Sequence, residues 1–254
     1  MKKKRLGVIG GLGPLATAYF FELVIQMTDA ETDQEHVEMM IYNRPSVSDR
    51  TRFILGKSGE NPLPDMIEMG QWLTEQGADI IAIPCITAHY FHKELTEAIA
   101  APIIHVVKET AEHLAAYGIK KAGIMATDGT VCSGLFQQEL EKKQIECVLP
   151  DEKHQAFVMS LIYEDVKAGR PIEPDKFEAV SDYLRRQGAE VMILGCTELS
   201  MIKRDYDIGA GYLDAMEILA RKAVLLSGAA LKGEYQCLIT GYQEKNGKEE
   251  ENVS

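Results

Sequence analysis

Two segments of the chain repeat one pattern, and each repeat ends on a cysteine. Residues 77–85 read GADIIAIPC and residues 188–196 read GAEVMILGC. A second pair lies upstream, where LGVIG at residues 6–10 matches AGIMA at residues 122–126. The two cysteines are 111 residues apart (196 − 85), a period too long for a solenoid and typical of two duplicated lobes. We therefore expect Cys85 and Cys196 to meet across a cleft between the lobes.

Strand and helix patterns alternate along both halves. Short buried runs such as Leu6–Gly10 and Val191–Leu194 predict strands, and apolar residues at helical spacing predict helices over residues 17–27 and 174–187. The same signals predict helices over residues 87–100 and 133–143 and a strand over residues 103–106. Such alternation with short links predicts an α/β fold of two similar lobes, each a parallel β-sheet flanked by helices, related by pseudo-two-fold symmetry.

The order of predicted strands and helices also predicts how the chain divides into lobes. We expect an N-terminal lobe over residues 1–117 and a C-terminal lobe over residues 118–212, with a helix within residues 213–236 packing back on the first lobe. Residues 237–254 are polar and acidic, and we expect them to form a disordered tail.

Composition narrows the classes of function. With 27 basic and 39 acidic residues the net charge is −12, which opposes non-specific nucleic-acid binding because such binding needs basic surface. No apolar run approaches the roughly 20 residues of a membrane-spanning helix. The basic start is followed by a stretch broken at Gly10, Gly11 and Gly13, which lacks the continuous apolar region of a secretory signal. We predict a cytoplasmic protein that contacts neither nucleic acid nor membrane.

The five cysteines form no C-x-x-C pair and no zinc-like spacing, so we expect free thiols and no metal site. Cys85 and Cys196 each follow a predicted strand, at the edge where parallel sheets bind ligands. Inverting an acidic carbon needs a base on one face and an acid on the other, and a thiolate with a thiol provides both. Thr87 and Thr197 follow the two cysteines and offer hydroxyls and N–H groups to an amino acid's carboxylate.

Five motifs make the pattern specific. They are GGLGPLAT at 10–17, SDRT at 48–51, PCITAHYF at 84–91, TDGT at 127–130 and GCTE at 195–198. In this order they resemble the aspartate/glutamate racemase family, which racemises amino acids without a cofactor. The aspartate racemase branch is more similar than the glutamate branch, because Glu198 stands where the latter typically has histidine.

This resemblance implies a role for individual residues. Cys85 and Cys196 would be the catalytic acid/base pair, and Arg50 would hold the substrate's side-chain carboxylate with help from Lys167. A solvated cation at the end of a helix is an equally good interpretation of Lys167. The resemblance also implies an amino-acid substrate, no cofactor and a homodimer.

Other site positions stay open in the sequence. Glu198 either orients the substrate's ammonium group or begins the next helix, and Thr127 either contacts the substrate or forms a turn. Ile86 departs from the family's asparagine and removes a side-chain hydrogen bond to the substrate. Leu12 replaces a more usual methionine, which conserves volume.

Three alternatives compete with this interpretation. The glycine-rich turn at residues 11–16 also fits a dinucleotide-binding fingerprint, with Arg44 suited to a 2′-phosphate, but this leaves the repeated cysteines unexplained. Ile86 motivates an amino-acid-binding paralogue without catalysis. A related isomerase of the same superfamily is the third alternative; decarboxylases in it keep only one of the two thiols.

Overall fold

The apolar runs of the sequence form the strands of two parallel sheets in the computed structural model, which describes residues 3–242. The strands are β1 (Leu6–Gly10), β2 (Met39–Asn43), β3 (Ile80–Ala82), β4 (Lys121–Met125), β5 (Glu146–Val148), β6 (Val191–Leu194) and β7 (Tyr212–Asp214). The first sheet has the order β2–β1–β3 and the second the order β5–β4–β6–β7. All pairings between these strands are parallel, which confirms the predicted α/β fold.

Helices connect the strands and cover the sheets. They are α1 (Pro14–Met27), α2 (Arg50–Ile54), α3 (Leu63–Glu75), α4 (His92–Ala98), α5 (Val106–Ala116), α6 (Asp128–Cys132), α7 (Leu135–Lys142), α8 (Glu152–Ser160), α9 (Pro174–Arg186), α10 (Thr197–Asp205) and α11 (Ala215–Leu226). A 3₁₀ turn (Ile86–Phe91) precedes α4, and a π-helical turn (Leu161–Val166) continues α8.

The two sheets share one topology. A central strand, β1 or β4, is flanked by the next strand in the chain on one side and the one after on the other. In the second sheet β7 pairs with the outer edge of β6. At the corresponding edge of β3 in the first sheet, Ile103 forms a single parallel bridge to Ile81. The strand predicted over residues 103–106 is therefore wrong beyond its first residue, because His105 caps α5 and the helix begins at Val106.

Alternating strand residues divide the core into three parts. Leu6 and Val8 on β1, with Val191 and Ile193 on β6, belong to one core that reaches across both lobes. Ile9 on the opposite face of β1 belongs to a second core confined to the first lobe. The other face of β6 packs into a third core, confined to the second lobe. The shared core joins the two sheets behind the cleft.

The C-terminal part of the chain ties the lobes together. Helix α11 packs mainly against α1 and α5 of the first lobe, although β7 just before it pairs with β6. The tail begins later than expected, since Leu238 and Ile239 are buried and Ile239 bridges antiparallel to Leu213. The expected disorder over residues 237–242 is thus wrong, and residues 243–254 lie outside the described part.

Two helix boundaries also differ from the sequence expectation. The helix predicted over residues 87–100 is a 3₁₀ turn followed by α4. The one predicted over residues 133–143 begins after Gly134, whose φ of +70° separates α6 from α7. Within residues 3–242, no helix combines the length and apolar character needed to cross a membrane.

Candidate active site

The segments that follow five strands, together with the π-helical turn, enclose one small chamber between the lobes. Its walls come from the loops after β1 and β2, the Cys85 segment after β3, the turn after β4, the π-helical turn and the Cys196 segment after β6. All ten site residues predicted from the sequence line it: Leu12, Arg50, Cys85, Ile86, Thr87, Thr127, Lys167, Cys196, Thr197 and Glu198. The chamber volume of about 20 Å³ holds one water molecule. We call this space the inner chamber.

A larger opening leads out from the inner chamber. This outer cleft has a volume of about 520 Å³ and shares Leu12, Arg50, Lys167 and Glu198 with the chamber. The inner chamber is too small for an amino acid, so its walls must move apart to admit one.

Cys85 lies beside a cation. The thiol is 7% exposed and occupies the N-cap position of the 3₁₀ turn. Burial lowers the pKa of the neighbouring Arg50 guanidinium, but the charge of Cys85 and a hydrogen bond to it outweigh this and raise the pKa overall. A guanidinium beside a cysteine stabilises the thiolate form.

Arg50 also fastens two loops to each other. Its Nη1 donates to the carbonyls of Val47 and Ser48 at 3.2 and 2.9 Å, and its Nη2 donates to the Leu12 carbonyl at 2.6 Å. The Nε atom is buried and has no hydrogen-bond partner among residues 3–242. The Nε N–H is therefore a donor that no described residue uses.

A glycine allows the Leu12 carbonyl to reach this position. Gly11 has φ +87°, and a Cβ there would lie 2.4 Å from the backbone nitrogen of Arg44. No other residue fits such an approach without displacing the backbone. The glycine-rich turn after β1 thus serves the site by bringing its backbone close to the loop after β2.

Cys196 has the opposite electrostatic surroundings. Its Sγ donates to Oε2 of Glu198 at 2.9 Å, and the Thr197 hydroxyl donates to the same oxygen at 3.1 Å. Burial and the Glu198 charge together raise the pKa of Cys196 well above its usual value, although Lys167 opposes them. Cys196 is therefore a thiol at neutral pH.

Lys167 and Tyr163 close the chamber from the second lobe. The Lys167 Nζ lies 3.8 Å from Oε1 of Glu198 and 4.0 Å from the centre of the Tyr163 ring. Burial lowers the pKa of Lys167, while Glu198 and the other nearby anionic groups raise it overall. Lys167 is thus a charged group of the chamber wall whose side chain is also 32% exposed.

Four threonine hydroxyls join the lobes on another side of the chamber. Thr127 Oγ1 lies 3.3 Å from Thr51 Oγ1 and 3.1 Å from Thr87 Oγ1, and Thr130 Oγ1 lies 3.0 Å from Thr87 Oγ1. Thr127 also caps α6 by accepting from the Thr130 N–H. We call these residues the threonine cluster; Thr51 and Thr87 belong to the first lobe, Thr127 and Thr130 to the second.

Three further residues line the chamber that the sequence did not predict as site residues. Asp49 and Thr51 flank Arg50 within the SDRT motif, and Tyr163 lies four residues before Lys167. Side chains four residues apart share a helix face, and this spacing to Lys167 is the sequence signal for Tyr163.

Ile86 is 2% exposed and packs into the core shared by the lobes, so its side chain has a structural role that an asparagine would not fill.

Three histidines pack behind the Cys85 segment. The ring centres of His89, His92 and His105 lie 4.1–6.0 Å apart, and His89 Nε2 lies 3.3 Å from the Ile83 carbonyl. Burial and the neighbouring rings lower the pKa of His89 to about 3, and burial with His92 lowers that of His105 to about 4. These rings are neutral packing groups at neutral pH.

The described residues offer no evident metal centre. Across residues 3–242, no group of three or more histidine, cysteine, aspartate or glutamate side chains is arranged to hold a metal ion. All five cysteines are free thiols.

Known proteins share both the sequence pattern and the fold. Residues 9–223 match the family described as Asp/Glu/Hydantoin racemase. The chain is 26% identical over 229 residues to the broad specificity amino-acid racemase RacX of Bacillus subtilis, covering 86% of this chain and 96% of that protein.

Solved structures agree with this assignment. The aspartate racemase of Picrophilus torridus superposes with a TM-score of 0.80 at 32% identity, over 92% of this chain and 99% of that chain. A glutamate racemase of Francisella tularensis shares the fold, with a TM-score of 0.63 at 18% identity over 89% of this chain and 81% of that chain. The match of a family model to most of the sequence, together with these structural relatives, shows that the chain belongs to the Asp/Glu/hydantoin racemase family.

Proposed function

We propose that the protein interconverts the L and D forms of aspartate or glutamate by a two-cysteine mechanism that uses no cofactor. The observation that carries the proposal is the opposite surroundings of two thiols in one chamber. The Arg50 cation lies beside Cys85, while the Glu198 carboxylate accepts a hydrogen bond from the Cys196 thiol. We assign the role of base to Cys85 and the role of acid to Cys196.

In the proposed reaction the Cys85 thiolate removes the Cα proton from one face of the substrate. The electron pair moves into the substrate's α-carboxylate, and Cys196 donates its thiol proton to the opposite face of Cα. The product leaves with inverted configuration, Cys85 now a thiol and Cys196 a thiolate, and the reverse reaction uses these roles exchanged. The substrate forms no covalent bond with the protein, and the reaction requires no electron acceptor.

The remaining charges suit the substrate's polar groups. A side-chain carboxylate can accept from the buried Nε edge of Arg50 and from Lys167, since charge-assisted hydrogen bonds to carboxylates are strong. Glu198 offers its carboxylate to the ammonium group, and Thr87, Thr127 and Thr197 offer hydroxyls. Similarity to an aspartate racemase and to a broad specificity amino-acid racemase supports this assignment.

Cα exchange in D₂O tests the proposal. The protein is first dialysed to remove metals and pyridoxal phosphate. We expect both enantiomers of aspartate or of glutamate to gain deuterium at Cα, which proton NMR detects as the loss of the Cα proton signal. Cys85→Ser and Cys196→Ser should each lower the rate by orders of magnitude, because a positioned acid and base act as a unit. Circular dichroism of both variants controls for folding. A variant that racemises at the wild-type rate in both directions would contradict the two-base mechanism.

Assembly is the last part of the proposal. The family resemblance implies a homodimer, and Phe21 and Ile25 are 43% and 40% exposed one turn apart on the outer face of α1. Exposed apolar surface of this kind is typical of contacts between subunits. Sedimentation equilibrium should give twice the chain mass, and a monomer at all concentrations would refute this part alone.

A further inference from the structure

A buried group of charged side chains lies between α10 and α11. Lys203 Nζ on α10 donates to Oε2 of Glu217 on α11 at 2.5 Å, and the two side chains are 15% and 12% exposed. The Asp214 carboxylate at the end of β7 is fully buried and accepts from the Ser200 hydroxyl of α10 at 2.7 Å. Neither Lys203 nor Glu217 lines the inner chamber or the outer cleft, so the proposed proton transfers do not use them.

The spacing of these residues joins α10 to the start of α11 at two points. Ser200 and Lys203 are three residues apart, as are Asp214 and Glu217, and residues three apart on a helix lie on one face. Asp214 also caps α11 by accepting from the Met216 N–H at 2.8 Å. The hydroxyl–carboxylate contact and the ion pair therefore lie about one helical turn from each other along the same helix–helix contact.

Burial makes the ion pair sensitive to the position of α10. Burial, and after it the Asp214 charge, raises the pKa of Glu217, whereas Lys203 opposes this rise. Exposed ion pairs contribute little to stability, but separating a buried pair leaves each charge without compensation. A shift of α10 along α11 would separate the charges of Lys203 and Glu217, so the pair favours one register of the two helices.

Helix α10 carries the second thiol at its start. Cys196 is the N-cap residue of this helix, and Thr197 and Glu198 begin its first turn. Lys203 lies seven residues after Cys196 (203 − 196), about two turns along the same helix. Helix α11 packs mainly against α1 and α5 of the first lobe, which contains Cys85. The ion pair therefore connects the helix of one thiol to the lobe of the other.

We propose that Lys203 and Glu217 are positioning residues for racemisation: their ion pair holds α10 against α11 and thereby sets where Cys196 lies relative to Cys85. This inference rests on the proposed function, since it concerns the same two thiols. It extends the site to residues that do not contact the substrate and that act through the helix that begins at Cys196.

Isotope effects with Cα-deuterated substrate separate positioning from folding. Each thiol removes the Cα proton of one enantiomer, so a displaced Cys196 slows proton removal from one enantiomer directly. In Glu217→Gln we expect kcat for aspartate or glutamate to fall roughly tenfold to a hundredfold, because small displacements of reacting groups have effects of this size. We also expect the deuterium isotope effects on kcat/KM of the two enantiomers to become unequal, rising for the one that Cys196 deprotonates. A variant that only folds less well loses active molecules and keeps the wild-type isotope effects.

Two further variants complete the test. Glu109→Gln makes the same chemical change in another ion pair of α11, in which Lys222 Nζ lies 2.9 Å from Oε2 of Glu109 on α5. This control should keep the wild-type isotope effects, because it does not touch α10. The double variant Lys203→Met/Glu217→Gln removes both charges of the pair, so neither is left buried without its partner if the single variant fails to fold. We expect the double variant to show unequal isotope effects as well.

The outcomes separate this inference from the proposed function. Wild-type isotope effects in Glu217→Gln or in the double variant overturn the inference, whether or not kcat falls, and leave the proposed function standing. Equal changes in Glu109→Gln and Glu217→Gln also overturn it, because any loosening of α11 would then suffice. Failure of both Glu217 variants to fold, followed by circular dichroism, overturns it too, since the pair would then serve the fold as a whole. A wild-type protein that racemises neither amino acid refutes the proposed function itself.

Discussion

Replacing Glu198 with glutamine removes the charge beside Cys196 and keeps an oxygen that can accept a hydrogen bond from the thiol. The two side chains are in contact, with Sγ 2.9 Å from Oε2. Two unit charges about 4 Å apart interact by about 4 kcal/mol at an effective permittivity of about 20. Because Glu198 contributes to the raised pKa of Cys196, Glu198→Gln should lower that pKa.

Alkylation measures this shift directly. The rate at which iodoacetamide modifies the Cys196 peptide is followed across pH by mass spectrometry, in a Cys85→Ser background so that one chamber thiol remains. The midpoint of the pH curve should move to lower pH. Glu164→Gln makes the same chemical change at an exposed position of the π-helical turn and should leave the midpoint in place. A midpoint that stays put or rises in Glu198→Gln would refute the assigned role of Glu198.

Three further predictions follow from the contacts of the site. Arg50→Ala should lower kcat/KM for aspartate strongly. Arg50→Lys should recover only part of the loss, because an ammonium group cannot replace the planar guanidinium that donates to the Leu12 carbonyl. Equal kcat/KM values for the wild type and both variants would contradict this prediction. Thr127→Val should lower the free energy of unfolding by about 1–3 kcal/mol because it leaves buried hydroxyls without partners, measured by urea denaturation with Thr127→Ser as control. His89 has a pKa near 6.5 in the unfolded chain and about 3 in the folded protein, so the free energy of unfolding should fall as the pH drops from about 6.5 toward 3. His89→Leu should weaken this pH dependence of the melting temperature. An unchanged slope of melting temperature against pH would contradict the prediction.

The sequence predicts the site well where function depends on the ends of strands. A glycine, an apolar run and a cysteine define where β3 and β6 end, and each of the two parallel sheets then places one thiol at its carboxyl edge, facing the chamber. The motif around Arg50 likewise identifies a cation for this edge. These features are local in the chain, and the repeat makes them visible.

Contacts made across long sequence separations could not be read in this way. The Arg50 bond to Leu12 spans 38 residues and depends on two loops that approach only because Gly11 has no side chain. Leu238 and Ile239 form a short apolar pair in a polar region, and their burial requires the free edge of β7.

The threonine cluster has a consequence for how the lobes separate. Each hydroxyl can both donate and accept, so the cluster can exchange partners in small steps as the lobes move. When the contact opens, water replaces hydroxyl for hydroxyl, and the net cost of each lost bond is only about 0.5–1.5 kcal/mol. A contact of methyl groups here would instead expose apolar surface and hold the lobes shut. If the lobes part in the proposed reaction, opening the threonine cluster thus costs a few hydrogen bonds and exposes little apolar surface.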